Sequence, residues 1–272
     1  MAIKIDSSGL SKENTYKESF ITYSCNCDSH SIAKLDWFFE IVQEVAAYHG
    51  ALLECSIFDL RKLGLTWVIS RENIVINKYP KWREKIILET WAEKPFRRVL
   101  LPRIIEAKNE QNELLFRATT LWAIIDLKTK RPIDPNEILN KFGFPPKTLE
   151  KKFYIHKREF FNEEYPIIGN IAPNINYFDT DSNKHVNNIS YLKWTLQSLP
   201  NSFRDKYVTK NIDVSWLKQT FIKDKVKLIT NSENPNALED ENPIFYHKLV
   251  REDVNGKEQI VFEAKSIWEK RN

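Results

Sequence analysis

The chain has 272 residues, of which 42% are apolar and 12% aromatic, enough to bury two middle-sized cores and to exclude a disordered protein. Its 41 Lys and Arg against 37 Asp and Glu leave a formal charge of +4, too balanced for a dedicated nucleic-acid binder but compatible with an acidic partner. Three cysteines, Cys25, Cys27 and Cys55, cannot all pair and lack zinc-ligand spacing, so reduced thiols in a cytoplasmic protein are expected.

The N-terminal stretch "MAIKIDSSGLSKENTYKES" has no apolar segment of the signal-peptide kind. No later stretch has the apolar length needed to span a bilayer; the densest, "TLWAII", is strand-sized. After a first strand, a helix is expected from about Ala33 to His49. Leu35, Phe38, Phe39, Val42, Val45 and Ala46 give it one apolar stripe, Ser31 is its candidate N-cap and Gly50 its C′ residue. "ENIVINKYPKWREKIILET" reads as strand, charged turn and strand, and "LLFRATTLW" (114–122) as the return strand of a hairpin. Residues 132–171 carry Pro132, Pro135, Pro145, Pro146 and Pro166 with little periodicity, and read as a linker over the surface. A second, shorter helix is expected from about Asn188 to Leu199, with Ile189, Leu192, Leu196 and Leu199 on one face and Pro200 as its stop.

Much of the second half repeats the first. "IVFEAKSIW" (260–268) shares Phe-x-Ala-x-(Thr/Ser)-(Leu/Ile)-Trp with "LLFRATTLW". "ITYSCNCDSHSIAKLDWFF" aligns with "INYFDTDSNKHVNNISYLKW" at an offset of 154, which sets Cys27, Ser29 and Ser31 against Asp181, Asn183 and His185. "ENIVINKYPKWREKIILET" aligns with "KNIDVSWLKQTFIKDKVKLIT". The three pairs keep the same order, so each half reads as strand, helix and about four strands. One helix on one curved antiparallel sheet is an α+β layer arrangement. The expected fold is therefore two tandem hot-dog domains, 1–131 and 172–272, joined by the linker.

The polar run at Asp179, Asp181, Asn183 and His185 admits three readings. As a calcium loop it has Lys184 where glycine is needed and Ser190 where a bidentate Glu is needed. As a polar turn it leads into a helix capped by Asn187 or Asn188. As a catalytic segment, an extended backbone would turn Asp181, Asn183 and His185 to one face. His185 would then be a base near neutral pH, and the N–H groups of Val186, Asn187 and Asn188 would bind an oxyanion.

"DSNKHVNN" (181–188) resembles the signature of the acyl-acyl-carrier-protein thioesterase family of plants and bacteria, and "WVISR" (67–71) resembles a stretch of that family's first domain. The resemblance covers the doubled architecture. It implies hydrolysis of fatty acyl-carrier-protein thioesters, with no metal or redox cofactor. It also implies an acyl pocket in the first domain and catalysis in the second, with Asp181, Asn183 and His185 in the catalytic positions. Where the family carries Glu this chain has Gln219, and where an older scheme places a Cys nucleophile it has Thr220. The expected mechanism is attack by a water that His185 and Gln219 position.

Phe38, Phe39, Val42 and Trp67 are candidate substrate-binding residues, with a plain core role as the competing reading. Lys78, Lys81, Arg83, Lys85, Arg97, Arg98 and Arg103 are candidates to dock the acidic carrier protein; His49 and His156 read as structural or surface residues. Neither nucleic acid nor stable membrane insertion is expected, and the oligomer reads as monomer or homodimer. The competing functions are an acyl-CoA thioesterase, a dehydratase and a non-catalytic acyl-binding module.

Overall fold

The computed structural model describes residues 5–95, 97–139, 143–146, 161–252 and 256–271. The chain forms two compact units, the first ending at residue 157 and the second beginning at 158.

The first unit contains β1 (Tyr16–Ile21), α1 (Leu35–Leu52), α2 (Ile57–Lys62), β2 (Leu65–Ile76), β3 (Lys85–Ala92), β4 (Leu101–Asn109) and β5 (Leu114–Asp126). Its strands form an antiparallel sheet in the order β1-β3-β4-β5-β2. Phe38, Phe39, Val42 and Val45 recur at helical spacing on α1 and are fully buried. Phe38 stacks on Phe116 of β5 at 4.6 Å, which fixes the helix face against the sheet. Phe116 pairs with Ile76 on one side and Ala107 on the other, so these three share the core face.

The helix differs from expectation at both ends. Ser31 lies before the helix with φ 61°, and Lys34 occupies the N-cap without a side-chain bond. The N–H of Lys34 is instead held by the Asn26 carbonyl at 2.8 Å. At the far end Gly50 stays helical, because the Cys55 N–H returns to its carbonyl at 2.8 Å and closes the helix further on, at Leu53.

The second unit contains β6 (Ile167–Ile171), α4 (Asn188–Gln197), α5 (Asn201–Arg204), β7 (Tyr207–Trp216), β8 (Val226–Asn231), β9 (Ile244–Glu252) and β10 (Glu258–Lys270), and α3 (Asn136–Leu139) precedes it in the first. The sheet order β6-β8-β9-β10-β7 repeats that of the first unit. Tyr191 of α4 meets Phe262 of β10 at 5.4 Å, the counterpart of Phe38 on Phe116. Pro200 stops α4 and caps α5, whose Phe203 stacks on Tyr207 at 4.4 Å and meets Trp268 edge-on at 5.3 Å. Each unit is thus a hot-dog: one long helix on the face of a five-stranded antiparallel sheet.

The repeat "LLFRATTLW"/"IVFEAKSIW" is physical. Trp122 Nε1 donates to Thr120 Oγ1, and Trp268 Nε1 to Ser266 Oγ, both at 2.8 Å. The expected linker is less featureless than its prolines suggest. Pro132 bridges Ile125, α3 buries Leu139, and 167–171 form edge strand β6. In that strand a Cβ on Gly169 would come within 2.1 Å of the Ser198 carbonyl oxygen, so glycine is needed for the close approach. His156 lies outside the described residues.

Two histidines are built into the cores. His49 of α1 accepts from Arg103 Nη1 through Nδ1 at 2.8 Å, and the same nitrogen of Arg103 donates to Thr90 Oγ1 at 3.1 Å. Burial, then the neighbouring guanidinium, pushes His49 down to about 2. His247 of β9 is fully buried, with Nδ1 at 2.7 Å from Thr230 Oγ1 and Nε2 at 2.8 Å from Ser266 Oγ. Burial pushes it down to about 3. Glu72 of β2 is also fully buried, and among the described residues neither carboxylate oxygen has a partner. Burial pushes its carboxyl well above the usual range, so it is held neutral.

Candidate functional site

Residues 176–188 do not form the extended segment that the alternating polar residues suggest. A 3-10 turn over Tyr177–Asp179 is followed by a tight hairpin in which Thr180 pairs with Val186. Asp181 makes the turn. Its Oδ1 accepts the N–H groups of Asn183 (2.8 Å) and His185 (3.2 Å), its Oδ2 accepts the Asn183 amide (3.0 Å), and its own N–H donates to the His185 carbonyl (2.9 Å). Lys184 takes the left-handed conformation at φ 62°. Short polar side chains that bond backbone two residues on favour this turn over a strand. Asp181 and Asn183 are thereby brought together, with the Asp181 carboxylate engaged by main-chain N–H groups and the Asn183 amide.

Helix α4 starts directly after the hairpin. Asn187 caps it, accepting the Ser190 N–H at 2.9 Å through Oδ1. The Val186 N–H donates to the Thr220 carbonyl and the Asn187 N–H to the Asp179 carbonyl, both at 2.8 Å. The expected oxyanion role of these two N–H groups is therefore corrected: they fasten the hairpin to its neighbours. Asn188 is the first residue of α4, at the positive end of the helix dipole.

The Val186–Thr220 bond lays the loop between β7 and β8 along the hairpin. The ring of Phe221 meets that of His185 edge-on at 5.1 Å, and the exposed Gln219 precedes it by two residues. Arg251 of β9 holds this loop. Its Nη1 donates to the Gln219 carbonyl at 2.7 Å and to Asp224 Oδ2 at 3.0 Å, and its Nη2 to Gln259 Oε1 at 3.2 Å. Asp224 in turn accepts the Phe221 N–H at 3.0 Å. Beneath the loop Thr220 is fully buried, and burial raises the Tyr191 phenol above its ordinary value. Sequence reasoning missed Arg251, because its partners in the loop lie 27 and 32 positions away and leave no local pattern.

The first unit contains the same hairpin without the same residues. Cys27 pairs with Ala33, and Asp28 Oδ1 accepts the N–H groups of His30 (2.9 Å) and Ile32 (3.3 Å). The Ala33 N–H donates to the Pro80 carbonyl at 2.8 Å, and Ser31 takes φ 61° where Lys184 takes 62°. These equivalences place Asp28 opposite Asp181, 153 positions apart, and correct the offset of 154. The true counterparts of Asp181, Asn183 and His185 are Asp28, His30 and Ile32. Asp181 is therefore a turn residue kept in both copies, whereas Asn183 and His185 are peculiar to the second. By the same bonding pattern Tyr79 stands where Gln219 does: Asn77 and Lys78 donate to the Leu115 carbonyl as Leu217 and Lys218 donate to that of Val261. The Tyr79 ring stacks on Phe38 at 5.3 Å.

Phe38, Phe39 and Val42 are fully buried in the first core, and half-buried Trp67 donates to the Cys55 carbonyl at 2.8 Å. Of the cations expected on a docking surface, Arg103 is buried against His49 and Thr90 and drops out; Lys78, Lys81, Arg83, Lys85, Arg97 and Arg98 are exposed. Among the described residues no cluster of three His, Cys, Asp or Glu side chains is placed to hold a metal, and no helix is long and apolar enough to cross a membrane.

Family models for the acyl-ACP thioesterase N-terminal domain and C-terminal domain match residues 13–142 and 170–270. The chain belongs to the acyl-ACP thioesterase family. It is 28% identical over 246 residues to an oleoyl-acyl carrier protein thioesterase of Arabidopsis thaliana, covering 82% of this chain and 65% of that one. A second Arabidopsis oleoyl-acyl carrier protein thioesterase is 25% identical, covering 94% of this chain and 76% of the other. The chain thus spans about two thirds to three quarters of these relatives, both of them described as chloroplastic. Among solved structures, an acyl-ACP thioesterase from Bacteroides thetaiotaomicron superposes with a TM-score of 0.78 at 20% identity, covering 96% of this chain and 100% of that one. A 12:0-ACP thioesterase from Umbellularia californica does so with 0.78 at 19% identity, covering 95% and 98%. At these identities the superpositions establish the two-hot-dog fold of this acyl-ACP thioesterase family member.

Proposed function

We propose that the chain hydrolyses fatty acyl-acyl-carrier-protein thioesters, releasing free fatty acid and so ending chain elongation. The observation that carries this reading is His185. Its position is Ile32 in the equivalent hairpin of the first unit, whose own His30 stands two residues earlier, and it is presented beside the Gln219 loop at the start of α4. Family membership, and relatives named as oleoyl-, palmitoyl- and dodecanoyl-carrier-protein hydrolases, support the substrate class.

In the proposed mechanism His185 takes the proton of the water as its oxygen bonds to the acyl carbon, and the imidazolium returns that proton to the carrier's thiolate as the C–S bond breaks. Gln219 cannot take a proton, but its amide oxygen accepts a hydrogen bond from that water and so orients it. Asn183 helps to seat the thioester, and the positive end of α4 polarises its carbonyl. Asp181 acts indirectly, by setting the hairpin that carries Asn183 and His185. The apolar face of α1, with Phe38, Phe39 and Val42, is our candidate acyl wall, together with Trp67. Three free cysteines support a reducing, cytoplasm-like compartment.

The test is fatty acid release from medium- and long-chain acyl carrier proteins and from the matching CoA esters. Faster release from the carrier protein is expected. Release from CoA alone would make the chain an acyl-CoA thioesterase, and bound fatty acid without turnover would make it a binding module.

A further inference from the structure

The rim of the candidate site is more apolar than a solvated surface needs to be. Tyr177 and Phe178 are 79% and 86% exposed and meet each other edge-on at 5.6 Å. Across the hairpin, Phe221 and Ile222 are 42% and 47% exposed. Two adjacent aromatic rings left in water forgo a large burial gain, and an apolar patch beside a reactive group marks a contact surface.

The hairpin itself does not require these side chains. In the first unit the same 3-10 turn is built from Ser24, Cys25 and Asn26, 153 positions earlier than Tyr177, Phe178 and Asp179. The aromatic pair therefore goes with the unit that holds His185, not with the turn geometry. Lys184 on the same hairpin, and Lys218, Lys223 and Lys225 on the β7–β8 loop that the Val186–Thr220 bond ties to it, are exposed. Three acids lie in the same segments and are engaged: Asp179 by the Asn176 N–H, Asp181 by main-chain N–H groups and the Asn183 amide, and Asp224 by Arg251 and the Phe221 N–H. An apolar patch on a segment with more exposed lysines than acids fits an acidic protein surface that offers an apolar residue of its own.

We propose that Tyr177, Phe178 and Ile222, with the exposed Lys184, Lys218, Lys223 and Lys225 of the same hairpin and adjoining loop, form the landing face for the acidic carrier protein that delivers the thioester. This deepens the thioesterase reading and rests on it for the identity of the partner. It places docking on the second unit rather than on the exposed cations of the first.

The experiment measures binding of a carrier protein whose acyl group is held by a non-hydrolysable amide, so that turnover is not needed. Wild type is compared with Tyr177→Ser/Phe178→Ser, with Lys223→Glu/Lys225→Glu, and with Lys78→Glu/Lys81→Glu/Arg83→Glu in the first unit. The first two variants are expected to weaken binding by about tenfold or more. The charge variant should also flatten the salt dependence, and the first-unit variant should bind as wild type does. Thermal unfolding and fatty acyl-CoA hydrolysis check that the variants are intact. Unchanged binding in the first two variants, or a loss confined to the first-unit variant, would overturn the proposal. So would a wild-type dimer that Tyr177→Ser/Phe178→Ser makes monomeric, since the face would then join two copies of the chain. If wild type binds the carrier protein but hydrolyses no thioester, the catalytic reading fails while the landing face is still decided by these affinities.

Discussion

His247 offers a sharp test of how the second core is built. It is fully buried between Thr230 and Ser266, and burial pushes it down to about 3, against about 6.5 for a free imidazole. Below pH 6.5 the unfolded chain binds a proton at this side chain and the folded chain does not. Its contribution is therefore complete above pH 6.5 and is lost as the pH falls, at about 1.4 kcal/mol per pH unit. Between pH 7.5 and pH 5 the loss is about 2 kcal/mol, a large share of an ordinary domain's stability. Other groups titrate too: His49 pulls the same way and Glu72, held neutral by burial, pulls the other. Subtracting the curve of a His247→Gln variant removes their share, because both proteins carry them. The assay is urea unfolding followed by tryptophan fluorescence across this pH range. At neutral pH the variant should be less stable by about 1–3 kcal/mol, for the lost hydrogen bonding. That gap should narrow by about 2 kcal/mol at pH 5. A gap that stays constant or widens on acidification would refute a neutral, sealed His247.

Three further outcomes follow from the hairpin and its loop. Arg251→Met frees the Gln219 loop and should lower kcat about tenfold or more with KM nearly unchanged, measured by steady-state hydrolysis, whereas a purely structural role would lower the melting temperature and leave kcat intact. Gln219→Glu should keep or raise the rate and add a carboxylate limb to the acid side of the pH-rate profile; a large loss would give the amide a role that water positioning does not contain. Asp28→Ala and Asp181→Ala should each cost about 1 kcal/mol of stability by urea unfolding, and only the second should slow hydrolysis. An equal effect of both on rate would contradict the view that Asp181 acts through the turn that carries His185.

The fold was legible because its signals are local or repeated. The stripe Leu35 to Ala46 and the twin "Phe-x-Ala" strands each declare a face, and their order recurs. The helix ends differ from expectation where closure depends on a loop carbonyl outside the helical pattern or on a return bond, as with Lys34 on Asn26 and Cys55 on Gly50. Strand β6 was lost among prolines because its five residues alternate weakly and include a glycine placed for a close approach. At the site, residue types were readable and their geometry was not. Asp181, Asn183 and His185 look like a strand face in the sequence, yet the aspartate's own bonding folds them into a hairpin. A one-residue slip in the alignment hid Asp28 as the twin of Asp181, and only the matched hydrogen bonds correct it. Arg251, joined to its loop by tertiary contact alone, had no signal to find.

The most direct test of the account is single-turnover hydrolysis of a long-chain acyl carrier protein by wild type and by His185→Ala, with folding of both checked by thermal unfolding. The account predicts rapid single-exponential release of free fatty acid by wild type and a loss of about a hundredfold or more in the variant. Equal rates in the two proteins would contradict it, because the reaction would then not depend on the histidine that stands where the first hairpin has Ile32.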